Sequence, residues 1–227
     1  MTMQIKAIAF AAALVSLGAQ ADTVAQWSFN AGSTNPAISV NAASFSALGV
    51  STSFVSQAGS SDLDAGQALN TTNYPAQGSG DLTEGVQFLI DTSGYESLVF
   101  RFDQRNSSTA SAWTALRYTL DGSSWTTATN LQMTANSAFF NGISFDFSGI
   151  AGAADNASFG LQLLTTFAPG TSGYVGTGGT YGTGGTIRYD MVTLSGVAIP
   201  AVPEPESYAL MLAGLGAIGA LARRRKA

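Results

Sequence analysis

The chain has 227 residues, with charged side chains at 10%, no cysteine, no histidine and a formal net charge of −5. The missing residue types exclude disulfides, thiolate chemistry, Ser-His-Asp or Cys-His catalysis, and imidazole-held zinc, copper or iron. Between residues 22 and 201 twelve acids stand against four arginines and no lysine, a formal charge of −8, so the basic footprint that nucleic-acid binding needs is absent.

Residues 1–21 have the three parts of a secretory signal. Lys6 supplies a positive n-region, residues 7–18 an apolar h-region, and Ala19-Gln20-Ala21 an A-x-A cleavage site. The mature chain is expected to begin at Asp22 after passage through the Sec translocon. The apolar run of this signal helix is shorter than the ~20 residues of a bilayer span.

Residues 22–201 suit a single domain. Ser, Thr, Gly and Asn dominate, and the Glu/Lys/Arg-rich polar face of a soluble helix is missing. Period-2 alternation marks short strands instead. The first runs over 24–29, with Trp27 and Phe29 on one face. Val86, Phe88 and Ile90 mark the next, then Leu98, Phe100 and Phe102, then Leu116, Tyr118 and Leu120. Asp121-Gly122 is a tight-turn signal, followed by 124–127 with Trp125. Ile143, Phe145 and Phe147, then Phe159, Leu161 and Leu163, and finally Ile187, Tyr189 and Met191 complete the series.

About eight to ten strands in one domain predict an all-β fold, an antiparallel two-sheet β-sandwich of jelly-roll type whose first and last strands pair. The segment 113–125 resembles a hairpin common in bacterial jelly-roll and carbohydrate-binding-like modules. Residues 170–185, with Gly-Thr-Gly-Gly-Thr-Tyr-Gly-Thr-Gly-Gly at 176–185, read as a mobile loop. The alternative is a ligand-lining loop with Tyr174 and Tyr181 as stacking platforms.

Catalysis in such a chain is left to paired carboxylates, but the domain's two glutamates, Glu84 and Glu96, lack the close acidic spacing of a glycosidase strand. The expectation is a protein that is not an enzyme. Asp62 and Asp64, flanked by Ser60, Ser61 and Gln67, offer hard oxygens for calcium, with Asp190 as a further ligand if the sheet brings it near. Trp113 and Trp125 flank a hairpin and are the candidates for stacking on sugar rings.

Residues 202–227 are the most specific part of the sequence. Pro203-Glu204-Pro205 lies in extended-favouring backbone. An apolar stretch follows over 208–222, and Arg223-Arg224-Arg225-Lys226 comes next with the charge that holds an end on the cytoplasmic side. This tail resembles the PEP-CTERM sorting signal of Gram-negative bacteria. The resemblance implies recognition by an exosortase, a transmembrane-like helix at 208–222 that pauses in the inner membrane, and cutting at or near the motif. The resulting expectation is an exported surface or extracellular-matrix protein associated with biofilm or exopolysaccharide. A carbohydrate-binding module is the alternative, and a carboxylate-based glycan hydrolase stands third.

Overall fold

The computed structural model describes residues 20–64, 66–134, 137–200 and 205–224. Among the described residues, twelve strands and one helix are laid down in the order β1 (Ala21–Trp27), β2 (Ile38–Ser39), β3 (Ala43–Leu48), β4 (Ser51–Ser56), β5 (Gln67–Thr72), β6 (Gly85–Ile90), β7 (Tyr95–Asn106), β8 (Trp113–Thr119), β9 (Thr126–Gln132), β10 (Phe139–Asp146), β11 (Gly160–Thr165), β12 (Ile187–Ala198) and α1 (Pro205–Arg224). The expectation of eight to ten strands falls short because β2 to β5 are built largely from Ser, Ala and Thr. These segments carry too few large apolar residues to show an alternating pattern.

The strands form two antiparallel sheets. One runs β3-β6-β11-β8-β9; the other is seven-stranded, with β10-β7-β12-β1-β2 as its path and β5 and β4 branching from β12. β1 pairs with β12 from Ala21↔Val197 to Trp27↔Val192, so the domain is closed by its first and last strands, as the sequence reading expects. The inner faces meet in one core. Phe88, Leu161, Leu163 and Leu116 come from the five-stranded sheet, and Trp27, Phe100, Phe102, Tyr189 and Leu194 from the other. Trp27 is fully buried, its ring centroid 4.8 Å from that of Phe88, and its indole N–H donates to the Thr34 carbonyl at 3.0 Å.

β12 departs from the predicted alternation. Ile187 and Tyr189 are buried as expected, but the inward series then continues through Val192 and Leu194, not Met191. A bulge between Asp190 and Thr193 shifts the register against β7, and Met191 has φ of 47°. One extra residue moves every later side chain to the opposite face. At the same place β12 changes neighbour: Ile187–Tyr189 pairs with β5, whereas Val192 onward pairs with β1.

The glycine-rich segment 170–185 is not a free loop. Tyr174 is buried and stacks on Tyr181 with centroids 4.6 Å apart. The backbone N–H groups of Thr177, Gly178 and Gly182 donate to carbonyls of Ala110, Ser108 and Thr109. A Cβ on Gly185 would lie 2.6 Å from the Ala110 backbone, so glycine here permits close packing of two chain segments.

The C-terminal helix corrects the transmembrane reading. Among the described residues no helix is long and apolar enough to cross a membrane. Pro205, Glu206, Arg223 and Arg224 lie within α1, leaving an apolar stretch of about 22 Å at 1.5 Å per residue. The hydrocarbon layer is about 30 Å thick.

Candidate functional site

The seven-stranded sheet carries the most unusual chemistry, on its outer face. Asp103 of β7 and Asp190 of β12 are direct cross-strand partners, and both are buried. Strand alternation points them away from the core, opposite Phe102 and Tyr189. What shuts them off is the connection between β4 and β5, residues 57–66. Ser60 donates its hydroxyl to Asp103 Oδ2 at 3.0 Å, the Ser61 N–H donates to the same oxygen at 2.6 Å, and the Gly142 N–H donates to Oδ1 at 2.7 Å. Gly142 holds φ of +66°, and a Cβ there would stand 3.0 Å from an Arg101 guanidinium nitrogen. Glycine is therefore what lets β10 approach Asp103.

Asp190 is served less well. Its Oδ1 accepts the Met191 N–H at 2.9 Å, while Oδ2 is buried with no partner. Burial pushes its carboxyl up to about 6; the nearby Ser60 hydroxyl and the Met191 N–H act against this, and the charges of Asp62 and Asp103 add to the rise. Beside this pair a groove of about 430 Å³ is lined by Gln26, Arg101, Asp103, Asn141, Met191 and Thr193, among others.

The predicted residues Asp62 and Asp64 lie in the covering connection, and they separate. Asp62 is half-buried: Oδ2 accepts from Asn30 Nδ2 at 2.7 Å and Oδ1 from the Asp64 N–H at 2.9 Å. Asp64 is exposed and takes part through its carbonyl, which accepts from Gln57 Nε2. Asp190 is thus brought toward Asp62, as the sequence reading allowed, while Asp64 is turned outward. Asp103 was missed because an acid amid Phe100 and Phe102 reads as the solvent-facing half of a strand. Its only sequence signal is a second acid deep in the other long strand.

The outer face of the five-stranded sheet holds the sugar-stacking candidates. Trp113 opens β8 and Trp125 directly precedes β9; both are half-buried. Alternation puts Trp113 on the same face as Arg117, about 13 Å along the strand. A polar row crosses the sheet there: Ser46 opposite Gln87, Gln87 opposite Gln162, Gln162 opposite Arg117 and Arg117 opposite Thr127. Gln162 Nε2 donates to Gln87 Oε1 at 2.8 Å, and Arg117 donates to Gln162 Oε1 at 3.4 Å and to the Trp125 carbonyl at 2.9 Å. Arg117 Nε is buried without a partner. Five strands contribute to this row, so no local motif announces it.

The processing residues are only partly within the described residues. Ala21 opens β1, and Pro205 opens α1, whose last turn carries Arg223 and Arg224. Ala19, Pro203, Glu204, Arg225 and Lys226 lie outside the described residues, as does nearly all of the signal segment 1–21. Leu210, Leu212, Leu215 and Ile218 of α1 are exposed.

No curated protein matches the sequence. Among solved structures, the tandem CBM22-1–CBM22-2 domain of Paenibacillus barcinonensis Xyn10C is similar with a TM-score of 0.48 and 15% identity, over 83% of this chain and 50% of that one. The chain thus spans half the length of that structure. The CBM22-1 xylan-binding domain of the same protein gives a TM-score of 0.45 at 16% identity, over 81% of this chain and 99% of that one. An exo-β-agarase gives 0.45 at 10%, over 81% and 26%. The family model of the PEP-CTERM protein-sorting motif matches residues 201–226. This chain carries a PEP-CTERM sorting motif and is thereby an exported exosortase substrate.

Proposed function

We propose that the chain is a non-enzymatic protein of the cell surface or extracellular matrix, exported through the Sec translocon of a Gram-negative bacterium. In this reading the tail at 202–227 pauses in the inner membrane until an exosortase cuts at or near Pro203-Glu204-Pro205. The sandwich then joins the biofilm or exopolysaccharide. The sorting motif at 201–226 carries the proposal. The geometry of the tail supports it: the hydrophobic core draws on residues from Val24 to Leu194, so the sandwich closes without α1 and survives its removal. Glu84 precedes β6, in one sheet, and Glu96 lies on β7, in the other. Mass spectrometry of the protein released by an exosortase-bearing host tests the proposal. The expected product begins at Asp22 and lacks Arg223–Lys226; a released chain with its basic tail intact overturns it.

A second reading, binding of a neutral polysaccharide, is favoured by the outer face of the five-stranded sheet. Trp113 offers an aromatic surface for the apolar face of a pyranose. The Gln87–Gln162–Arg117 row offers polar side chains held in place by their own hydrogen bonds. Affinity electrophoresis of the purified chain through gels containing neutral or acidic polysaccharide tests this. Retardation by a neutral glycan that Trp113→Ala and Arg117→Met both abolish supports it, and unretarded migration in every gel rejects it.

A further inference from the structure

The gap where β5 leaves β12 and β1 takes over has a shortage of donors. The last β5 pair is Leu69↔Tyr189 and the first β1 pair is Trp27↔Val192. Asp190 therefore sits where neither strand's backbone reaches it. Ser60 is the hydroxyl between the carboxylates, and its one proton goes to Asp103. Every group that donates to Asp103 or Asp190 is neutral, being a hydroxyl or a backbone N–H.

The unpartnered groups around this gap are all oxygen acceptors. Asp190 Oδ2 is one, in a residue with no exposure, and Gln57 Oε1, in a residue 7% exposed, is another. Asn30 Oδ1 is the third. Asn30 follows β1 and is tied to Asp62. Gln57 begins the covering connection and is tied to Asp64 across it. Orphaned donors and acceptors in mixture would be met by water. Orphaned oxygens alone, beside three aspartates, call for a positive charge.

We propose that the gap between β1 and β5 binds a divalent, oxygen-seeking cation of the calcium class, with the carboxylates of Asp190 and Asp62 as charged ligands and the amide oxygen of Asn30 as a neutral one. Asp103 remains fully hydrogen-bonded and adds negative field without ligating. Among the described residues no three acidic groups converge as a ready-made metal cage. The site is thus a two-carboxylate one, in the range of extracellular calcium modules, with Kd about 10⁻⁴–10⁻³ M. Calcium fits better than magnesium because neutral amide oxygens and irregular loop geometry suit its larger, flexible coordination shell. The cation would tie the end of β1, the 57–66 connection and the centre of β12 into one unit.

The test is calorimetric titration of the purified full chain with calcium chloride, alongside thermal unfolding with and without about 10 mM calcium or magnesium. Saturable calcium binding and a rise in Tm of about 5 °C are expected, with little response to magnesium. Both effects vanish in Asp190→Asn and weaken in Asp62→Asn. Asn is nearly isosteric with Asp, and the Tm of each variant without calcium shows that it folds. If Asp190→Asn does not fold, Asp62→Asn alone decides the matter. No calcium heat and an unchanged wild-type Tm overturn the proposal, and so does a calcium response that persists in the variants.

Discussion

Asp103 and Asp190 face each other across the β7–β12 ladder, both closed off from solvent by a connection that belongs to neither strand. Asp103 is a hub. One carboxylate holds the 57–66 connection through Ser60 and Ser61, and β10 through Gly142. Asp103→Ala is expected to leave several buried donors unmet and to cost about 3–5 kcal/mol, at about 1–3 kcal/mol for each orphaned group. Urea denaturation measures this; a variant within about 0.5 kcal/mol of the wild type would show that the connection finds other partners.

Trp27 fills the centre of the core and also anchors the chain leaving β1 through the Thr34 carbonyl. Trp27→Ala should cost about 3–5 kcal/mol, while Trp27→Phe should recover most of the packing and lose the hydrogen bond, about 1 kcal/mol. A Phe variant as unstable as the Ala variant would mean that the indole N–H contact dominates.

Gly185→Ala places a methyl group 2.6 Å from the Ala110 backbone. The expected loss is about 1–3 kcal/mol. Proteolysis should then open at 170–185, because that segment is held by its contacts. A variant with unchanged stability and protease resistance would return this segment to the status of a loose loop.

Four tyrosines lie where ionisation is opposed. Burial raises the phenols of Tyr74, Tyr181 and Tyr189, and pushes Tyr174 up to about 12. Their unfolded value is near 10. A raised folded pKa contributes stability that is fully present below that value and is lost as pH rises through the folded one. Alkaline unfolding and the tyrosinate absorbance of these residues should therefore rise together above about pH 10. Full ionisation while the near-UV dichroism remains native would count against the buried packing of this cluster.

At Asp121 the sign is opposite. N–H groups of Ser124 and Ser123 hold its carboxylate well below the ordinary range. Its contribution is present above the unfolded value of 3.8 and is lost as pH falls through the lower folded one. The gap in denaturation midpoint between wild type and Asp121→Ala should be full at neutral pH and shrink below about pH 4. A gap independent of pH would assign the effect to turn geometry alone.

The sandwich was legible wherever a strand buries large side chains on one face: Trp27, Phe88, Phe100, Leu116, Leu161 and Tyr189 stand in the core as the alternation required. It was illegible in β3 to β5, where small polar residues build strands with few large apolar side chains to mark an alternation. The bulge at Met191 was equally hidden, because alternation cannot announce its own interruption. The sorting motif was legible, since its parts follow one another directly, but the helix within it is not long and apolar enough to cross a membrane. Asp103 with Asp190, and Arg117 with Gln162 and Gln87, are joined only by the sheets, so strand pairing had to be known before either group could be seen.

The pairing of β1 with β12 has a consequence for the order of events during export. The first strand to leave the cytoplasm has its main partner in the last, and Asp22 waits for Gly196. The seven-stranded sheet cannot close until residue 198 has crossed, by which time α1 trails by a tether of at most about 25 Å. On the proposed export route, completion of the fold and arrival of the sorting motif at the membrane surface would coincide, and the enzyme would meet a substrate already assembled.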